Sequence, residues 1–489
     1  MLNWEKISEL FIYNPKAPLL FNSGAFFLLF MVFFGIYILL HKADKLRIAY
    51  TLLFSLFFYY KSSGFYFWVL ILSTFIDFYI GNALYKMEDG PKRKALLILS
   101  LCSNLGLLAY FKYVNFGIQT YNDLTGNAMP LTDIFLPVGI SFYTFQTLSY
   151  SIDIYRRNLE PAKNIVDFGF FVSFFPQLVA GPIVRAADFI PQIYQKLSLT
   201  KSDMSRAFLL IAGGLVKKAI ISDYLSVNFV DRVFDNPLLY SAFENLTAVY
   251  AYAFQIYCDF SGYSDMAIGL SLLMGFKLPD NFRSPYQSTS ITEFWRRWHI
   301  SLSSWLRDYL YISLGGNRKG QVRTYVNLLL TMLIGGLWHG ASWKFVIWGA
   351  LHGSLLAIEK FIWSIIPSLK GNKWARVFGF FFTFHFVCFA WIYFRASSFD
   401  QAVLVIKQIG LLQIDWAQIW TIIQAYQHVF GVLVLALVLH FIPERWEQYW
   451  QRYFEQWPMF FKASYLAVCI WIVMQVSRAD VQPFIYFQF

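Results

Sequence analysis

The chain has 489 residues, 57% of them hydrophobic and only 14% charged, with a formal net charge of +11. Globular proteins carry roughly 25% charged residues, so the composition excludes an ordinary soluble fold. Apolar runs of about 20 residues recur along most of the length, the mark of a multi-pass membrane protein. The Lys and Arg excess lies in short loops between those runs, where it orients helices and meets anionic membrane lipid; nucleic acid is not an expected partner. Cys102, Cys258, Cys388 and Cys469 stand apart in apolar stretches with no CxxC or Cys/His spacing, so neither a metal site nor a disulfide framework is expected.

The first 19 residues contain Glu5, Lys6 and Pro15 and lack the pattern of a cleavable signal peptide, so the first span, 20–40, is expected to act as its own insertion signal. A shorter span ends near Tyr60, a third runs from Phe65 to about Tyr85, and a fourth covers Ala95 to Tyr110. The basic loops 41–47 and 86–94 are two spans apart, which places both on the cytoplasmic side and the N-terminus outside. The middle is less regular. Residues 136–157 open with Pro137 and Gly139 and carry a row of polar residues, while 170–185 are interrupted by Pro176, Gly181 and Pro182. Breakers at membrane depth predict broken or re-entrant segments. Further spans are expected at 206–222, 241–274, 325–340, 343–366, 376–394, 428–443 and 463–476, and the aromatic tail DVQPFIYFQF is expected to pack back on the body or the interface. The whole of 1–489 reads as a single membrane domain.

Between Tyr257 and Gly353 this apolar chain concentrates Asp259, Asp265, Arg296, Arg297, His299, Asp308 and His339. Such groups are costly in a bilayer and usually face a cavity or a path. Ser290 to Glu293 has capping-box spacing, and Gly315-Gly316 offers a stop, so one amphipathic helix is predicted between them. Trp295, Trp298, Leu302, Trp305, Leu306 and Tyr309 would form its apolar face, and Arg296, His299, Ser303 and Arg307 its polar stripe. Such a helix suits the interface or a water-filled funnel; alternatively Arg296 and Arg297 only meet lipid phosphate.

Farther on, Thr331, Gly335 and His339 line one side of an apolar run that ends in Trp338-His339-Gly340, where Gly340 can turn the chain. Two readings of His339 stand on chemistry alone. Desolvation favours its neutral form, a good general base for an attacking hydroxyl or thiol; the other reading is a histidine that hydrogen-bonds one helix to another. His352 is a candidate support for it, His41 sits in a basic loop, and His385, His428 and His440 read as packing residues. Asp259 and Asp265 lie on different helix faces, so they are not a paired acid/base site. Asp259 shares a face with Tyr263, and all three read as structure around a polar cavity. No GxSxG elbow, P-loop or HExxH motif occurs.

At these residues the chain resembles the membrane-bound O-acyltransferase (MBOAT) family, in particular its bacterial alginate O-acetylation branch. The matching blocks include LPVGISFYTFQTLSYSIDIYR, FFPQLVAGPIVR, YCDFSGYSDMAIG, LMGFKLPDNFRSPY, FWRRWHISLSSWLRDYLYISLGG and NLLLTMLIGGLWHGASWKFVIWGALHG, spanning roughly 136–353, plus the terminal FIYFQF. The resemblance implies an all-α polytopic fold, a ring of about 11 or more membrane helices with re-entrant segments around a central funnel. It implies that His339 is the catalytic histidine and His299 the second catalytic position. Arg296, Arg297, Trp298, Ser303, Arg307 and Trp338 become the candidate substrate-binding residues, and Asp259, Asp265 and Tyr263 the cavity residues. It further implies a multi-pass protein of the bacterial inner membrane. Acetyl groups would pass from a cytoplasmic donor to an exocytoplasmic acetyltransferase partner and finally to a cell-envelope or extracellular polysaccharide, alginate, peptidoglycan or another glycan. No bound cofactor is expected. Acetyl-CoA is the expected donor, because Arg296, Arg297, Arg307, Arg318 and Lys319 can supply phosphate contacts. A transporter with His339 as proton relay, or a scaffold of a polysaccharide export complex, are the readings from other classes; a transporter would show repeated halves with matching broken helices, and the sequence shows none.

Overall fold

A computed structural model describes residues 11–15, 18–179 and 181–476. The expected packing of the aromatic tail concerns residues outside these. Every regular element among the described residues is helical. Five helical stretches are long and apolar enough to cross a membrane: Asp44–Lys86, Pro91–Thr125, Trp343–Ile365, Lys373–Arg395 and Met459–Val476; the bent pair Trp416–Ala425 and Gln427–His440, with 88° between its halves, would make a sixth. Other expected spans are helices too polar or too short for that criterion. Ala242–Leu273 is the longest of them, with 32 residues, about 48 Å at 1.5 Å per residue.

The contacts divide the chain into two compact units. One comprises Met1–Ile211 with Met266–Pro279, the other Ala212–Asp265 with Asp280–Phe489.

In the first unit the polar helix Ile140–Tyr155 is buried at all positions but two. Its hydroxyls join a network centred on Asp77, which is 0% exposed. Asn104 Nδ2 donates to both Asp77 oxygens (2.9 and 2.8 Å), Ser100 Oγ donates to Asp77 Oδ1 at 2.8 Å, and Thr147 Oγ1 donates to Asn104 Oδ1 at 2.8 Å. Side chains thus satisfy one another where water is scarce, so these residues knit helices rather than line an open path. The expected breaks are present. The helix Ile165–Ser173 stops at Phe174, whose backbone leaves the helical range (ψ 108°), and resumes only for Phe175–Leu178.

In the second unit the helices Gln321–His339 and Trp343–Ile365 pack at unusually close range. A Cβ on Gly336 would collide with the Phe345 carbonyl and stand 3.2 Å from Gly349 Cα. Small residues therefore set the helix separation, as membrane helix pairs require.

Candidate active site

His339 is the last residue of the helix Gln321–His339 and is 3% exposed. Thr331 and Gly335 share its buried side, as the spacing predicts. Aromatic rings enclose the imidazole: Trp348 at 5.0 Å between centroids, Trp338 at 5.1 Å and Phe394 at 5.4 Å. The next residue departs from expectation. Gly340 is extended (φ −164°), a conformation open to any residue, so no turn demands glycine there. Space does: a Cβ on Gly340 would collide with the Phe345 ring, which packs on Phe394 at 5.0 Å.

The single amphipathic helix predicted from Ser290 to Gly315 is broken in two, which is a correction. Its start is as expected, with Glu293 N donating to Ser290 Oγ at 3.1 Å. Two further amides of that turn, Ile291 N and Thr292 N, donate to the Glu359 carboxylate at 2.9 and 3.2 Å. The helix ends at Arg297, Trp298 is extended, and His299 adopts φ +42°, ψ +55° before a second helix, Ile300–Trp305, begins. A wide turn, Leu306–Tyr311, follows, and the chain stops at Gly315 and Gly316, both at positive φ. The cause of the break is tertiary. The loop at 281–283 takes the backbone groups a continuous helix would use: Ile300 N donates to Asn281 O, and Arg283 N to Arg297 O, both at 2.9 Å. The left-handed backbone costs a non-glycine residue roughly 1–3 kcal/mol and persists only where its surroundings over-determine it.

The break removes His299 from the arginine stripe and buries it completely. Its Nδ1 lies 3.1 Å from Asn281 Oδ1, Phe260 packs edge-on at 4.6 Å, and Trp338 is 6.1 Å away. Trp338 therefore touches both histidines. Trp298 is also fully buried, stacked with Phe294 at 5.6 Å and against Trp391 at 5.0 Å. The other stripe members, and Arg297 beside them, stay outside this cluster. Arg296 is exposed, Arg297 pairs with Glu293 at 2.7 Å, Arg307 pairs with Asp308 at 2.6 Å, and Ser303 Oγ donates to Trp298 O at 3.1 Å.

Asp259 and Asp265 each have a lysine that sequence reasoning passed over. Lys218 Nζ is 2.6 Å from Asp259 and 2.8 Å from Asp223, while Lys217 Nζ is 2.7 Å from Asp265. The signal was present: two adjacent lysines interrupt the otherwise apolar run GGLVKKAII, and buried charges are paired when they persist. Tyr263 is buried one turn beyond Asp259.

Among the other histidines, His352 is fully buried between Trp348 (4.7 Å) and Trp295 (5.2 Å), with no hydrogen-bond partner on either ring nitrogen among the described residues. His440 packs as expected, accepting from Tyr286 N at 3.1 Å. His428 is exposed, and His385, though also exposed, packs edge-on against Tyr250 at 5.8 Å. No cluster of metal-ligating side chains occurs among the described residues.

A family model, MBOAT, membrane-bound O-acyltransferase family, matches residues 156–399, a range that includes both histidines, Asn281 and the lysine pairs. "Probable alginate O-acetylase AlgI" of Pseudomonas putida is 40% identical over 438 residues, covering 83% of this chain and 86% of that one. The protein of the same name in Pseudomonas aeruginosa is 43% identical over 396 residues, covering 78% and 73%. "Peptidoglycan O-acetyltransferase" of Helicobacter pylori is 36% identical over 424 residues, covering 80% of each chain.

Proposed function

This chain belongs to the membrane-bound O-acyltransferase family, and we propose that it transfers acetyl groups from a cytoplasmic thioester, acetyl-CoA, for O-acetylation of a cell-envelope or extracellular polysaccharide. The names of its relatives support a polysaccharide acceptor, alginate in two cases and peptidoglycan in a third. The observation that carries the reading is the placement of His339: a buried imidazole at a helix end, ringed by Trp338, Trp348 and Phe394 and joined to His299 through Trp338.

In this reading the neutral His339 removes the proton of an acceptor hydroxyl as its oxygen attacks the thioester carbonyl. The new C–O bond forms, the C–S bond breaks through a tetrahedral intermediate, and the imidazolium returns the proton to the departing thiolate. His299 orients a reactant beside it. Arg296, Arg318 and Lys319, all exposed, are the cations best able to meet the phosphates of the donor; Arg297 and Arg307 already hold carboxylates. An exocytoplasmic acetyltransferase partner receives the group, and the protein resides in the bacterial inner membrane.

His339→Ala tests this in cells with the membrane level of the variant measured alongside. Loss of polymer acetylation at normal levels is the expected result. Acetylation persisting at the wild-type level would show that His339 is not the base.

A further inference from the structure

Asn281 is 1% exposed and uses every polar atom of its side chain. Its Oδ1 accepts from Ser301 N at 3.2 Å and Ser301 Oγ at 2.9 Å, and lies 3.1 Å from His299 Nδ1; its Nδ2 donates to Ser264 Oγ at 3.1 Å. A backbone amide can only donate, so the atom facing Ser301 N must be the carboxamide oxygen and not the nitrogen. That oxygen can only accept, so a hydrogen bond between it and His299 puts the proton on the imidazole Nδ1; Ser301 Oγ also lies 3.4 Å from Nδ1, but its proton goes to Asn281 Oδ1, the shorter contact at 2.9 Å. A neutral imidazole carries one N–H, and its other nitrogen then holds a lone pair. The backbone carbonyl of Asn281 also receives Ile300 N, so one residue fixes the ring, the next amide and the left-handed turn between them. The rings packed on His299 (Phe260, Phe282 and Trp338) bring no charge to it.

We propose that Asn281 is a positioning residue for the transfer: it locks His299 in the Nδ1–H tautomer, so that Nε2 accepts a hydrogen bond from the acceptor hydroxyl and aims it. The neutral ring in this tautomer has no proton at Nε2 to donate to a carbonyl oxygen or an oxyanion. His299 therefore serves the nucleophile and not the oxyanion. The inference rests on the acyl-transfer reading of the two histidines.

The test uses native membranes carrying the full-length chain, labelled acetyl-CoA as donor, and label incorporated into envelope polymer. Asn281→Ala should lower the rate roughly ten- to a hundred-fold at normal membrane level, the scale of a small misplacement of a reacting group. Asn281→Asp keeps the acceptor for both Ser301 and the imidazole. Its carboxylate favours imidazolium, so the variant should retain more activity than Asn281→Ala and move the acidic limb of the pH–rate profile to higher pH. A packing role alone would leave that limb in place. A wild-type rate and profile in Asn281→Ala would overturn the proposal. Should that variant fail to accumulate, 15N-histidine solid-state NMR of the wild-type chain, with His299 assigned by difference from His299→Gln, decides it: a protonated Nε2 on the neutral ring refutes the tautomer. A fully active His299→Ala would overturn the underlying reading of His299, whereas an inactive His299→Ala beside a wild-type Asn281→Ala would overturn only the role of Asn281.

Discussion

Replacing Lys218 by Met tests whether the ion pairs of the second unit are structural. The side chains of Lys218 and Asp259 are 2% and 4% exposed, and that of Asp223 is 20% exposed. Met retains the aliphatic stem and its packing but removes the ammonium that lies 2.6 Å from Asp259 Oδ1 and 2.8 Å from Asp223 Oδ1. Breaking a buried pair by removing one partner costs about 3–5 kcal/mol, mostly because the remaining charge stays desolvated. With about 2–4 °C per kcal/mol for a unit of this size, the unfolding midpoint should fall by roughly 6–20 °C. The assay is thermal unfolding in detergent followed by tryptophan emission. The double variant Lys218→Met/Asp259→Asn removes the deeper stranded charge; Asp223, which reaches solvent, can be hydrated, so at least half of the loss should return. A midpoint for Lys218→Met within about 2 °C of the wild type would refute the reasoning, as would a double variant less stable than the single one.

Two further outcomes follow from packing and from charge. Gly340→Ala should insert at normal levels yet lose most activity, because the new Cβ displaces Phe345 and with it Phe394, a wall of the His339 cluster; transfer assays beside quantitative membrane blots check this. Neutralising Arg296, Arg318 and Lys319 together should raise the apparent KM for acetyl-CoA several-fold with kcat little changed. The wild-type KM should itself rise with salt, since exposed charges are screened.

Much of the fold was legible because apolar runs and breakers act locally. The helix Lys373–Arg395 and the interruption at Phe174 both follow from their own residues. The Ser290 cap was legible for the same reason, its partner being three positions away. The break at Trp298–His299 was not, since the stretch has an intact helical period and loses it to a loop 18 residues earlier in the chain, Asn281 against His299. Local periodicity carries no term for a competing partner at that distance. Lys217 and Lys218 stand out as two charges in an apolar run, but their partners do not: only the fold shows that Asp259 and Asp265 lie across from them. At Gly340 the residue type drew notice but suggested a turn, when the reason was the neighbouring Phe345 ring.

Glu359 has a wider consequence than capping one helix. It sits on Trp343–Ile365, the helix whose glycines mesh with the His339 helix, and its carboxylate grips the first amides of Ile291–Arg297, the segment that leads into His299. The two histidines are thus referenced to the same beam, one through glycine contacts and one through a charged clasp. Hinging that brings them together or apart would have to tear either the clasp or the mesh. Their spacing is thus set by one helix; in the proposed acyl transfer, the reactants would come to the two histidines rather than the histidines closing on them.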